Sequence, residues 1–265
     1  MLNFLKESLS YTTHMVDPSI YMTWTPAPRE GALNNDAQLP AVYIWLLGYL
    51  AKAVVAQCDK EVSVNPAAAD PIGVFVATIF SNTPLLWRGE SLIDILMSKF
   101  RMSCPALFGL RGNDKTEQGR ARLGWKRDKS TKVWCNDEEH TARMSGIAAG
   151  YAAISLRDFS RTKFKNPWPP SKYWMTLASI CNTPADETSN TQFTVLKAII
   201  SSNETRFIGF YGTAGKAALK LALVDFPIRA NRERGVNVAA DSLRTVASVL
   251  ERDHSLVLDA ESGKW

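Results

Sequence analysis

Apolar residues recur along most of this chain at intervals of three and four positions, the spacing that places side chains on one face of an α-helix. After Asp137, for example, Met144, Ile147, Tyr151 and Ile154 follow one another at this spacing. Apolar spacing and segment length together predict helices over residues 42–58, 71–80, 85–100, 138–156, 172–181, 191–201 and 238–251.

Prolines mark where several of these elements begin. A capping or turn-forming residue stands directly before a proline at Asn65-Pro66, Thr83-Pro84, Asn166-Pro167 and Thr183-Pro184. No segment alternates between apolar and polar residues beside a tight Asn-Gly or Asp-Gly turn, so the sequence gives no signal for a sheet. We therefore predict an all-α fold in a single helical domain over residues 1–265, with a less regular segment at 1–40.

The overall composition is that of a folded globular protein. The chain has 265 residues, of which 46% are hydrophobic and 22% charged, which excludes a fibre or a disordered tail. Its longest apolar run, 41–51, stops at Lys52, well short of the about 20 residues that a membrane-spanning helix needs. We interpret the run as a buried core helix, expect no membrane partner, and find no secretory signal in the first seventeen residues.

Cysteine and histidine show no pattern of a metal site or a catalytic site. The four cysteines lie 46, 31 and 46 residues apart, which favours reduced thiols over zinc ligands: Cys58, Cys104, Cys135 and Cys181. Each of the three histidines, His14, His140 and His254, has an ordinary interpretation as a helix-end or surface residue. With no G-x-S-x-G motif present, we predict that the chain is not an enzyme and holds no metal.

Positive charge is concentrated in one segment. Residues 99–132 contain ten Lys and Arg against three Asp and Glu, a net charge of +7, whereas the rest of the chain carries −2. A mixture of Arg and Lys with glycines suits a compact polyanion, because phosphate oxygens are then held from several directions. An RNA backbone would be held by the same groups, and a solvated loop without a ligand is the third interpretation.

The proline-rich stretch 166–174 (NPWPPSKYW) contains Trp168, Tyr173 and Trp174. Aromatic residues beside a rigid loop can bind a partner peptide, but they more often cover the core. Both interpretations stay open from sequence.

Several runs resemble the C-terminal domain of the Gle-one mRNA export factors, nucleoporins of the cytoplasmic face of the nuclear pore. The likeness extends from about residue 42 to about residue 249, and its order is preserved. The matching runs are 51–55 (AKAVV), 61–73 (EVSVNPAAADPIG), 104–105 (CP), 119–127 (GRARLGWKR), 143–154 (RMSGIAAGYAAI) and 177–184 (LASICNTP).

The resemblance implies a HEAT-like helical domain at the cytoplasmic face of the nuclear pore complex, present in cytoplasm and nucleus. Members of this family bind inositol hexakisphosphate as a tether to a DEAD-box RNA helicase and stimulate its ATPase and RNA release during mRNA export. They also bind a peptide motif of an FG-repeat nucleoporin. The family's full-length proteins carry a coiled coil as well, so we expect this chain to be a fragment.

The resemblance also assigns site residues. Lys52, Lys126 and Arg127 carry over as inositol phosphate ligands from AKAVV and GWKR. The family often has two basic residues directly before Cys-Pro, where this chain has Met102 and Ser103. The site would then be completed by Lys99, Arg101, Arg111, Arg120 and Lys129. For the nucleoporin peptide we expect contacts with Trp168, Tyr173 and Trp174.

Two alternatives belong to other classes of function. A direct RNA-binding module would use the basic segment on phosphates and stack bases on Trp125 and Trp134. A purely structural scaffold of the nuclear pore would leave the segment idle. Because the rest of the chain is slightly acidic, we expect no direct sequence-specific binding of nucleic acid.

Overall fold

The computed structural model describes residues 1–231 and 237–254, and their regular secondary structure is almost all helical. The helices are α1 (Leu2–Ser8), α2 (Ala41–Gln57), α3 (Ala69–Phe80), α4 (Asp94–Ser103), α5 (Glu117–Arg122), α6 (Asp137–Ser155), α7 (Pro170–Cys181), α8 (Asn190–Ile200), α9 (Glu204–Lys220), α10 (Phe226–Asn231) and α11 (Val238–His254). A π-helical turn, Cys58–Val62, continues α2. The prediction of an all-α fold is confirmed, and the HEAT-like arrangement stays a prediction.

The strands in the described ranges are two residues long. Strand β1 (Met15–Val16) pairs antiparallel with β2 (Leu39–Pro40), with Met15 opposite Pro40. The pairing closes a loop formed by residues 17–38. Sequence did not indicate it, because two residues are too few for an alternating pattern.

Six of the seven predicted helices lie within three residues of those observed, but the helix predicted over 85–100 is wrong in its first half. Helix α4 begins only at Asp94. Before it, Arg88 and Gly89 adopt positive φ angles of 51° and 76°, which a helix does not permit. Trp87 is buried there, and its indole N–H donates to the carbonyl of Asp36 at 2.8 Å. The apolar residues of this stretch are core residues of a loop.

Helix α6 lies at the centre of the core and packs on α3, on α8 and on the π-helical turn. Asn136 caps its start by accepting from the Glu139 amide at 2.8 Å, and its first turn is acidic. Buried residues from Leu5 to Leu250 form one continuous cluster. On that continuity we propose that the described residues make one domain.

Gly146 and Gly150 of α6 allow the π-helical turn to approach closely. A Cβ atom at Gly146 would lie 2.6 Å from the Ser63 amide nitrogen, and closer still to the Cys58 carbonyl oxygen. At Gly150 a Cβ would press on the Cys58 side chain. Only glycine fits at these two positions, and the contact fixes the end of α2 against α6.

Two continuous helical stretches, Ala41–Val62 and Glu204–Ala230, are long and apolar enough to cross a membrane by length and composition alone. Core helices of folded domains meet the same test. Most apolar side chains of α2 between Tyr43 and Val55 are buried in the core, as predicted for a core helix. The second stretch is kinked inside α9 at Gly212, where φ is 54° and ψ is −129°.

Candidate anion site

A cleft of about 730 Å³ opens between α2, α4 and the N-terminal segment that follows β1. Three of the predicted inositol phosphate ligands line it: Lys52 from α2, and Lys99 and Arg101 from the last turns of α4. Sequence separates Lys52 from Lys99 by 47 positions. The packing of α2 on α4 brings them to one cavity.

Helix periodicity explains why these side chains face the cleft. In α4, Leu96 and Phe100 are buried, which leaves Lys99 and Arg101 at the margin of the core. The opposite wall is held by Asp94, whose carboxylate accepts from the Thr23 amide at 2.7 Å and from the Thr23 hydroxyl at 2.9 Å. The N-terminal segment is therefore tied to the start of α4.

Within the described residues, none of Lys52, Lys99 and Arg101 takes part in an ion pair. Three cations around one cavity repel one another unless an anion lies between them. Phosphate oxygens suit such a set, because the guanidinium offers a planar fork and each ammonium offers three donors.

Lys126 lies beside the π-helical turn that continues α2 and already has a partner. Its ammonium contacts the Asp59 carboxylate at 2.6 Å, and Arg143 approaches the same oxygen at 3.4 Å. Arg143 also donates to the Gly124 carbonyl at 2.6 Å, and a Cβ at Gly124 would lie 3.0 Å from the Ser103 carbonyl oxygen. The segment GWKR is thus fixed beside the end of α4.

Arg120 and Arg127 each cover a tryptophan. The guanidinium of Arg120 lies 4.8 Å from the Trp125 ring centre, and that of Arg127 lies 5.1 Å from the Trp134 ring centre. Arg127 also pairs with Glu117 at 3.1 Å. These cations have internal partners, which distinguishes them from the three in the cleft.

Arg111 and Lys129 lie in two other settings. Arg111 pairs with Glu187 at 3.0 Å, on the 3-10 turn after α7. Lys129 is exposed in a turn organised by Asp128, whose carboxylate accepts from Ser130 and Thr131; these hydrogen bonds hold the Asp128 pKa well below its usual range. The basic residues of the segment 99–132, which are close together in sequence, therefore lie in several different local structures.

His140 lies near the start of α6, as the helix-end interpretation expected, but it is buried, so the surface alternative is wrong. Its ring stacks on Trp125 at 4.0 Å with an angle of 11°, and its Nε2 lies 2.9 Å from the Thr191 hydroxyl. Burial, together with Arg143 and Arg120, lowers its pKa to about 3. Trp125, buried between His140 and Arg120, offers no open ring face on which an RNA base could stack.

The three aromatic residues proposed to bind a nucleoporin peptide have different environments. Tyr173 is fully buried, and its hydroxyl donates to the Ile199 carbonyl at 3.0 Å. The prediction that it contacts a peptide is therefore wrong, because it is a core residue. Trp168 is partly exposed and lines the cleft, with the Lys172 ammonium 5.2 Å from its ring. Trp174 packs at the surface beside Phe207 and Tyr211.

A larger groove, of about 900 Å³, lies between α6, α8 and the start of α11. Its ionisable lining is balanced, with Asp70 and Asp137 against Lys197 and Arg206. Asp70 pairs with Arg157 and Arg206 at 2.6 Å, and these bonds outweigh its burial and hold its pKa below the usual range. This groove therefore has no excess of positive charge for an anion.

The described residues hold no group of three His, Cys, Asp or Glu side chains that could bind a metal ion. All four cysteines are free thiols, as predicted. Burial raises the pKa of Cys58, Cys104 and Cys181 to about 12.

A family model described as GLE1-like protein matches residues 5–223. Among curated proteins, the chain is 48% identical over 258 residues to the mRNA export factor GLE1 of Chaetomium thermophilum, which covers 97% of this chain and 48% of that protein. It is 31% identical over 211 residues to the mRNA export factor GLE1 of Saccharomyces cerevisiae, covering 78% of this chain and 38% of that protein. The chain thus spans about half or less of these relatives.

Two solved structures are similar in fold. Both contain the S. cerevisiae Dbp5 L327V C-terminal domain bound to IP6 (inositol hexakisphosphate) and Gle1, in one case Gle1 H337R. The TM-scores are 0.69 for the H337R complex and 0.70 for the other, each with 29% sequence identity over 79% of this chain and 69% of the matched chain.

Proposed function

Because this chain belongs to the GLE1-like family, we propose that it binds inositol hexakisphosphate in the cleft between α2 and α4 and thereby recruits a DEAD-box RNA helicase. The observation that carries the proposal is the convergence of Lys52, Lys99 and Arg101, three cations without ion-pair partners among the described residues, on one cavity. The related complexes, in which Gle1, IP6 and the Dbp5 C-terminal domain occur together, support it.

The polyanion acts as a bridge between two basic surfaces. Without it the positive cleft repels a positive surface on the helicase; with it, both surfaces are neutralised by one compact ligand. Lys126 is positioned to join when the ligand competes with Asp59 for its ammonium. Arg120, Arg127, Lys129 and Arg111 lie in the surrounding structures and add long-range attraction for the anion.

The chain itself performs no chemistry in this proposal. By holding one helicase domain it favours the open helicase over the closed, RNA-bound form, which stimulates ATPase turnover and RNA release. Such an adaptor would act in mRNA export at the cytoplasmic face of the nuclear pore complex, within reach of cytoplasm and nucleus.

The test is the ATPase rate of a purified DEAD-box export helicase at low RNA, with and without inositol hexakisphosphate. We expect this chain to raise the rate, and the polyanion to raise it further. The variant Lys52→Glu/Lys99→Glu should lose the polyanion-dependent part, and Lys126→Glu/Arg127→Glu should do the same with helical content unchanged. A matched control, Lys163→Glu/Lys216→Glu, makes the same charge change at two exposed lysines away from the cleft.

The rival functions give different outcomes. No stimulation by the folded chain in either condition would refute the adaptor and leave a structural scaffold. Salt-sensitive binding of single-stranded RNA that is unaffected by Lys52→Glu/Lys99→Glu would favour a direct RNA-binding module. Equal stimulation by the cleft variant and the control would refute the assignment of the site.

We propose in addition that an FG-repeat nucleoporin peptide binds at the aromatic surface of α7 and α9. Trp174, Tyr211 and Phe207 pack together there, and Met175 and Phe210 beside them are exposed. A phenylalanine side chain of the motif would add to this cluster. In a fluorescence anisotropy titration of an FG peptide, Trp174→Ala should weaken binding. The control Trp45→Ala removes an exposed tryptophan of α2, outside α7 and α9, and should leave binding unchanged.

A further inference from the structure

The cleft has a second half that a polyanion cannot use. Trp45 and Tyr49 of α2 stack on each other, with ring centres 5.7 Å apart and 19° between the planes. They are 64% and 61% exposed and line the same cleft as Lys52. Ile20 and Tyr21, on the facing wall, are exposed as well.

These two aromatic residues and Lys52 lie on one stripe of α2. Their spacing of four and three positions places them on successive turns of the same helix face. At 1.5 Å per residue, Tyr49 lies about 4.5 Å and Trp45 about 10 Å from Lys52 along the helix axis. The opposite face of α2 is in the core, so the stripe is the part of the helix left for a partner.

Exposed paired aromatic rings are typical of protein interfaces, where Trp and Tyr supply most of the binding energy. A hexakisphosphate gains nothing from them, because it is charged on all sides. If the ligand bridges this chain to a helicase, the helicase surface must come within one ligand width of Lys52. Tyr49 and Trp45 lie about one and two helix turns from Lys52 and line the same cleft, so that surface also approaches them.

We infer that Trp45 and Tyr49 form a direct apolar contact with the C-terminal domain of the helicase, beside the inositol phosphate bridge. This inference rests on the proposed function and extends it to an aromatic surface, which binds by apolar contact and not by charge. The basic half of the cleft depends on the ligand and is weakened by salt, whereas the aromatic half depends on neither. The complex should therefore keep a weak, ligand-independent affinity that these two side chains supply.

The test compares three chains by isothermal titration calorimetry: the unaltered chain, Trp45→Ala/Tyr49→Ala, and Phe4→Ala/Tyr11→Ala. The last pair removes two aromatic side chains of similar exposure, 57% and 55%, that do not line the cleft. Each is titrated with inositol hexakisphosphate alone, with the helicase C-terminal domain alone, and with the helicase C-terminal domain while inositol hexakisphosphate is saturating. Circular dichroism and thermal melting establish that each variant is folded.

We expect Trp45→Ala/Tyr49→Ala to bind the inositol phosphate within about twofold of the unaltered chain and the helicase domain about tenfold or more weakly. Without the inositol phosphate, its residual helicase binding should disappear. The Phe4→Ala/Tyr11→Ala control should match the unaltered chain in all titrations.

Helicase affinity equal to that of the control would overturn the inference while leaving the proposed function intact. Loss of inositol phosphate binding in Trp45→Ala/Tyr49→Ala would also overturn it, since the rings would then serve the ligand site. A change from dimer to monomer in analytical ultracentrifugation, with helicase affinity retained, would assign the stripe to a second copy of this chain. Absence of helicase binding by the unaltered chain would refute the proposed function together with the inference.

Discussion

Replacing Gly146 with alanine tests the closest packing in the core. A Cβ at this position would lie 2.6 Å from the amide nitrogen and 2.9 Å from the Cα of Ser63, and closer still to the Cys58 carbonyl oxygen. All three are backbone atoms, so no side-chain rotation can relieve the contact. Either α6 or the π-helical turn has to move by about an ångström to restore ordinary van der Waals distances.

The size of the effect follows from two opposing contributions. Overpacking a core typically costs about 1–3 kcal/mol, and backbone neighbours place this site at the upper end. Alanine in a helix interior gains about 1 kcal/mol over glycine. We expect Gly146→Ala to lower the free energy of unfolding by about 2 kcal/mol, which corresponds to a fall in Tm of about 4–8 °C for a domain of this size.

The matched control is Gly209→Ala in α9, where a Cβ would meet no atom within 4 Å. This variant should show only the helix contribution and gain up to about 1 kcal/mol. Thermal melting by circular dichroism and urea unfolding measure both. A Gly146→Ala protein as stable as Gly209→Ala would refute the close approach of Cys58 and Ser63 to α6.

Three further predictions use charges and thiols. His140 binds a proton below pH 6.5 in the unfolded chain but only near pH 3 in the folded chain, where it is buried and neutral. The free energy of unfolding should therefore fall as the pH drops between these values, by up to about 1.4 kcal/mol per pH unit. His140→Phe, which keeps a ring over Trp125, should remove this part of the pH dependence in urea unfolding at pH 5 and pH 7. Asp59→Asn should lower Tm, because the nearly buried Arg143 loses its carboxylate partner. The same variant should bind inositol hexakisphosphate about threefold more tightly, because Lys126 loses its ion pair and can bind the ligand; weaker binding would contradict the proposed competition. In the folded chain a thiol reagent at pH 8 should modify Cys135 rapidly and the other three cysteines slowly, and mass spectrometry showing equal labelling would contradict their burial.

Local signals in the sequence located most helices but failed where distant residues decide the structure. Asn136 and Pro66 act on their own neighbours, so helix starts could be predicted from them. Trp87 is held by Asp36, 51 positions away, and no periodicity distinguishes its loop from a helix. The same limit applies to Tyr173, whose burial against Phe207 depends on how α7 packs on α9.

The candidate site was predicted only in part for a related reason. Charge counting found the basic segment but not the acids that neutralise it, since Asp59 and Glu187 come from other parts of the chain. It also missed Lys52, which lies outside the segment and was assigned only through the resemblance. Which cations lack an ion-pair partner and share one cleft depends on tertiary packing, and among the described residues Lys52, Lys99 and Arg101 meet both conditions.

The placement of charged and aromatic side chains in one cleft has a kinetic consequence. Charges act over about 8–10 Å in physiological salt and speed the first encounter, whereas stacked rings act only on contact and slow the departure of a bound partner. Salt and the occupancy of the polyanion would then set the association rate, and Trp45 and Tyr49 the residence time. A cell could then change how often the proposed complex forms through the supply of polyanion, while the two rings lengthen the life of every complex that forms.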